Sequence, residues 1–256
     1  MNVCEDKSAF EWIENGRLPM VPSNSNDFEW KGNIVQNCLP DQFEAYAKIL
    51  HRIEANYRHI DNPLSPEEIA ILQIPACTLL RSFVELSRTP DTTVRLRWKN
   101  VAKFLNVPYS PEINDEWFRK RLEPGCWPRF IKGPDDGFIG DSEYMELVSL
   151  LSDGGNSNRC YFRLPEIAFI ATDHPLLYEG PIEEITNVPG EPTWSTPEYC
   201  WPSSYEWCVC SDWDLTFTLV GGARKTIDRI LQSSILEAIE VRPEHRVDIF
   251  APMPLA

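Results

Sequence analysis

Two carboxylates two residues apart, Asp212 and Asp214 in the stretch YEWCVCSDWDLTFTLVGGARK (205–225), are the pair in this sequence best spaced to do chemistry. On an extended strand such a pair points to one side. There it could hold a hard cation such as magnesium, or divide acid and base roles as mutual repulsion raises one pKa. In a turn the same side chains accept local backbone N–H bonds instead. The turn is the expected reading, because no further oxygen ligands for a metal stand out. A few residues on, Gly221 and Gly222 separate a strand-like run from a helix-like one, so their N–H groups could face an anion, with Arg224 and Lys225 beside them. The stretch is not a P-loop, since Ala223 and Arg224 stand where Gly-Lys-Ser or Gly-Lys-Thr would be needed. Easing a tight turn into the helix is the plainer role for two glycines.

The other chemistry-bearing residues are scattered. His51, His59, His174 and His245 form no HxxxH or HExxH spacing, there is no GxSxG elbow, and no cysteine is paired in sequence with a histidine base. With no export signal the eight cysteines are expected to be mostly reduced, and with no CxxC pair they read as buried, small apolar residues and not as a structural zinc site. No cofactor is expected. Among nine tryptophans, Trp98, Trp201 and Trp207 could line a recognition groove, although a large apolar ring is more often core. The candidate ligand- or partner-binding set is therefore Trp98, Trp201, Trp207, Asp212, Asp214, Thr218, Gly221, Gly222 and Arg224, with no catalytic residue and no metal ligand assigned.

These residues need elements to hold them. In the opening stretch period-two alternation puts Trp207, Val209, Trp213, Leu215, Phe217 and Leu219 on one face and Cys208, Cys210, Asp212, Asp214, Thr216 and Thr218 on the other. Thirteen residues is long for one strand, so a break or bulge is expected near Asp212 to Thr216. The following ARKTIDRILQSS reads as an amphipathic helix with Ile227, Ile230 and Leu231 inward. Upstream, helices are expected over residues 8–15, from the Ser65 cap through Pro66 with Pro75 interrupting, over LRWKNVAKFLNVP, over INDEWFRKRLEPG with Asn114 as cap, and over DSEYMELVSLLSDGG with Asp141 as cap. RCYFRL, IAFIATD, PLLYEG and AIEVRP read as strands. Phe43 to Ile53 fits strand and helix templates alike.

At 256 residues, 43% hydrophobic and 25% charged, the chain has ordinary globular usage. The fold class is α+β, with helices mainly in the N-terminal half and a mostly antiparallel sheet in the C-terminal half. Residues 1–40 read as a loosely structured lead-in and 41–256 as one domain. With no long apolar run and no basic-then-apolar start, neither a membrane span nor an export signal is expected, and a cytoplasmic location follows by default. The net charge of -15 opposes nucleic acid as a partner. Between Thr93 and Lys132 nine basic residues face four acidic ones, so this segment is +5 against -20 elsewhere. Such a bias is either neutralised within the fold or offered as an anion-binding or acidic-partner surface.

Several blocks, in order, resemble a family of uncharacterised bacterial proteins: FEAYAKILH, VRLRWKNVA, GFIGDSEYMELVSLL, CYF before LLYEGPIEEI, and CWPSSYEWCVCSDWDLTFTLVGG followed by a helix and LEAIEV. The family's own blocks run FEAYA-R-ILH, VRW-VA and WWP-W-V-D-D-TYVGG, and the likeness spans most of Gln42 to Val241. Matching positions include Glu44, Tyr46, Ala47, His51, Arg97, Trp98, Ala102, Trp201, Pro202, Trp207, Asp212, Asp214, Thr218, Val220, Gly221 and Gly222. The resemblance implies a strand from Phe43 to His51 and a helical insertion over 63–88. It supplies no reaction. Leu219 stands where the family has Tyr, so any role of that hydroxyl would be missing.

Three function classes remain. The first is a non-catalytic binding protein, of the immunity or antitoxin type, that neutralises a basic partner through complementary charge. The second is a structural or regulatory subunit whose acidity serves solubility. The third is an enzyme for a small anionic substrate, built on Asp212, Asp214 and the Gly221–Gly222 helix entrance.

Overall fold

The segment after Pro40 settles as a strand because its alternate positions suit two dry faces. In β2, Ala45–Leu50, the small and branched Ala45, Ala47 and Ile49 face one way and Tyr46, Lys48 and Leu50 the other, and all six are buried. The structure, a computed structural model, describes residues 1–19, 32–55, 94–122, 125, 127, 131–152, 159–165, 176–187 and 197–254. The chain divides into two compact units, Met1–His51 with Asp136–Ala251, and Arg52–Asp135 with Pro252–Ala256.

The first unit is built on an eight-stranded antiparallel sheet. Its strands are β1 (Asn2–Val3), β2, β6 (Cys160–Arg163), β7 (Leu177–Gly180), β8 (Tyr199–Pro202), β9 (Trp207–Cys210), β10 (Phe217–Gly222) and β11 (Ala238–Val241), in the spatial order β1-β7-β6-β8-β9-β10-β2-β11. β2 pairs with both β10 and β11, and β1 pairs with β7, so the sheet draws on both halves of the sequence and strands are not confined to the C-terminal part. One face carries Ala47, Ile49, Phe162, Cys200, Val209 and Val220 against the helices α5 (Asp141–Ser152) and α6 (Arg224–Gln232), which contribute Leu147, Val148, Leu151, Ile227 and Ile230.

The opposite face is aromatic. Trp201 stacks on Tyr161 with centroids 5.4 Å apart, and Phe10 and Trp12 pack on it from the N-terminal segment. That segment comprises a 3-10 turn, Lys7–Phe10, and the helix α1, Glu11–Gly16; with α2, Val35–Cys38, it closes this side. Ile13, Val35 and Leu39 are fully buried. The described parts of residues 1–40, expected to be a loose lead-in, are thus layered onto the sheet, because the aromatic face needs an apolar cover. Lys48, also on this face, is wholly buried with its ammonium 4.0 Å from the Phe217 ring centroid.

The second unit contains β3 (Ile53–Ala55), β4 (Val94–Leu96) and β5 (Ile131–Lys132) in a three-stranded antiparallel sheet ordered β4-β3-β5, with the helices α3 (Trp98–Leu105) and α4 (Asp115–Arg119). α3 buries Trp98, Val101 and Ala102, as its stripe requires, and ends where Asn106 takes a left-handed conformation at φ 51°. Asn114 caps α4, accepting the Trp117 N–H at 3.2 Å. α5 differs in detail from expectation: Asp141 is already helical, and the Gly140 carbonyl takes the Tyr144 N–H at 2.9 Å. The 63–88 insertion, the Ser65 start, the Pro75 interruption and the IAFIATD strand lie outside the described residues. No described helix is long and apolar enough to cross a membrane.

Candidate functional site

The opening stretch folds as a hairpin. β9 ends at Cys210, the chain turns at Trp213 and Asp214, and β10 begins at Phe217, with Leu219 opposite Cys210 and Val220 opposite Val209. The alternation from Trp207 to Leu219 is thus broken between Cys210 and Phe217, in the region where the length of the run predicted a break. Phe217 and Leu219 share the face of Cys208 and Cys210, and Trp213 is exposed at the turn. Asp212 accepts the Asp214 backbone N–H at 2.9 Å, the local bond of an Asx turn. Both carboxyls are pushed up, Asp212 by burial and by the Asp214 charge against the pull of that N–H bond, Asp214 by burial. Among the described residues, no group of three or more His, Cys, Asp or Glu converges as a metal site.

Thr218 lies at the base of the hairpin on the helix-covered face. Its hydroxyl is 2.8 Å from Ser211 Oγ and 3.0 Å from His51 Nε2, and all three residues are buried. This file of polar groups ties β9, β10 and the end of β2 together, and its satisfied hydrogen bonds make the register specific. On the other face a second polar group gathers. Arg163 pairs with Glu198, and Arg17 donates to the Tyr199 hydroxyl at 2.6 Å. Burial raises the Glu198 carboxyl to about 7 while Arg163 and Arg17 pull it down and Asp212 pushes it up. The sequence held no signal for this group, since its members lie as far apart as residues 17 and 212.

Gly221 and Gly222 are the last residues of β10, not a loop before the helix. A Cβ on Gly221 would lie 2.4 Å from the Phe43 ring, so glycine is required there by the close approach of that side chain. The anion position at the start of α6 is already filled: Glu44 accepts the Arg224 backbone N–H at 2.8 Å. The Arg224 guanidinium meets Glu240 at 2.7 Å and Asp228 at 3.5 Å.

Beside this capped end runs a groove of about 410 Å³, walled by Phe43, Tyr205 and Trp207 with Glu44, Glu206 and Gly222 among its lining residues. Each wall has an identifiable support. The Tyr46 hydroxyl donates to the Pro40 carbonyl at 2.7 Å and accepts the Phe43 N–H at 3.3 Å, fixing the turn that presents Phe43. Trp12 packs on Tyr205 at 4.9 Å and on Phe43 at 6.3 Å, bracing both rings from behind. Tyr205 itself sits in the β8–β9 turn at φ 58° with its ring exposed.

The candidate set is thereby divided. Trp207, Gly222 and the start of α6 meet at the groove. Asp212 and Asp214 form the hairpin turn, Thr218 is in the buried file, and Trp201 is fully buried in the aromatic face. Trp98 belongs to the second unit, where it packs on Phe118 at 5.1 Å. Sequence reasoning missed Phe43, Tyr205 and Glu206 as a group. The one available signal was a turn, PSSYE, that carries a bulky ring where glycine or asparagine is usual.

No protein-family model, curated protein or solved structure matches this chain, so the block resemblance rests on the residues quoted for it alone.

Proposed function

We propose that this chain is a non-catalytic binding protein that holds a basic protein partner on its eight-stranded unit, in the manner of an immunity or antitoxin protein. The observation that carries the reading is where the charge falls. The sequence of the first unit holds 28 acidic against 11 basic residues, a net charge of -17, whereas the second unit holds 11 against 13, a net +2. The acidity is thus a property of one folded unit, where it steers a cationic partner and disfavours an anionic one.

The enzyme reading is left with little. Glu44 stands where a substrate anion would sit at α6, and Asp212 spends an oxygen on its own turn. The test is affinity capture of the tagged protein from its source cell at low and at high salt. A protein of strongly basic composition should be retained at low salt and released at high salt. Retention of acidic or neutral proteins only, with no salt response, counts against the reading.

A further inference from the structure

We infer that the groove beside α6 seats an arginine side chain of the basic partner, and that Tyr205 is the residue placed to stack on it. This rests on the function proposed above and goes on to name the site and the group recognised.

Tyr205 provides the first argument. A bulky residue at φ 58° is a steric outlier, in a turn where glycine would be free of strain. Backbone strain of this kind persists where the surroundings hold it, and it concentrates at recognition sites. Here Trp12 holds the ring from behind, and the residue remains 42% exposed beside the groove. The conformation therefore serves to present an aromatic face.

Charge provides the second. Glu44 and Glu206 flank the aromatic walls, and no Lys or Arg is among the described residues lining the groove. Aromatic faces with carboxylates at their edges suit a cation. A guanidinium fits better than an ammonium, because it is planar, stacks on rings and forms forked hydrogen bonds to carboxylates. The volume of about 410 Å³ lies within the roughly 300–1,000 Å³ of sites that enclose a ligand. The net -17 of the whole unit favours an arginine carried on a basic protein, which long-range attraction brings to the surface.

The experiment measures binding of fluorescently labelled octa-arginine and octa-lysine peptides by anisotropy, at low salt, to the wild type and to Tyr205→Gly, Tyr205→Leu and Glu206→Gln. Thermal melts accompany each variant. Octa-arginine should bind the wild type more tightly than octa-lysine. Tyr205→Gly should melt no lower than the wild type, since it relieves the turn, yet bind octa-arginine about 3- to 30-fold more weakly. Tyr205→Leu, which keeps an apolar side chain at the position, should lose the same affinity, and Glu206→Gln should weaken binding several-fold. Wild-type affinity for octa-arginine in the Tyr205 variants overturns the groove while leaving the acidic-unit reading intact. Equal affinity for the two peptides overturns the choice of arginine. Octa-arginine that fails to bind the wild type at low salt removes both.

Discussion

A methyl group on Gly221 would lie 2.4 Å from Cδ2 of Phe43, so the end of β10 and one wall of the groove are a single packing unit. Gly221→Ala must displace a ring held by Trp12 and by the Tyr46-supported turn. The expected cost is about 1–3 kcal/mol, seen as a lower urea midpoint with an unchanged slope. Gly222→Ala meets nothing nearer than the Trp207 Cβ at 3.3 Å and should cost less. Equal losses for the two would contradict the Phe43 contact as the reason for glycine.

The aspartate pair should behave as a turn and not as a cation site. Asp212→Ala removes the acceptor for the Asp214 N–H and should lower stability by about 1 kcal/mol. Asp214→Ala, at an exposed position, should stay within about 0.5 kcal/mol. Millimolar magnesium should leave the melting temperature of the wild type unchanged. A magnesium-dependent rise that vanishes in Asp212→Asn would reverse this assignment.

Glu198 makes stability depend on pH in a defined direction. Burial lifts its carboxyl from 4.5 to about 7 in the folded chain. Between those values the folded state keeps a proton that the unfolded chain has released. The contribution is therefore complete below pH 4.5, falls as pH rises, and is gone above about pH 7. The full shift corresponds to something on the order of 3 kcal/mol. Urea titrations at pH 5 and pH 8 should show wild-type stability falling between them, with a smaller fall in Glu198→Gln. An equal fall in both proteins would show that other groups set the dependence.

Buried thiols should be inert. Cys4, Cys38, Cys160, Cys200, Cys208 and Cys210 are all free and buried, and burial pushes Cys160 to about 12. At pH 8 these six should label with iodoacetamide far more slowly in the native protein than in urea, as followed by peptide mass spectrometry. Rapid native labelling at any of Cys160, Cys200, Cys208 or Cys210 would mean that the sheet opens locally.

Local chemistry alone determined a good part of this protein. Stripes at helical spacing marked α3, α5 and α6, the Asn114 cap marked the start of α4, and the length of the alternating run from Trp207 announced a break near Asp212 to Thr216. The mixture of helix with mostly antiparallel sheet follows from the same short-range patterns. Other features were decided by tertiary structure. Phe43 to Ile53 satisfied both periodicities, and its Ala45–Leu50 part became a strand because β10 and β11 pair with its two edges while the layers on either side of the sheet bury both its faces. Residues 1 to 40 looked loose in sequence, yet an aromatic sheet face must be covered, and the scattered Phe10, Trp12 and Ile13 among them supply the cover. The groove belongs to the same class. Phe43, Glu44, Tyr205, Glu206 and Trp207 come from two segments some 160 residues apart, and only the β2–β10–β9 pairing brings their side chains to one place.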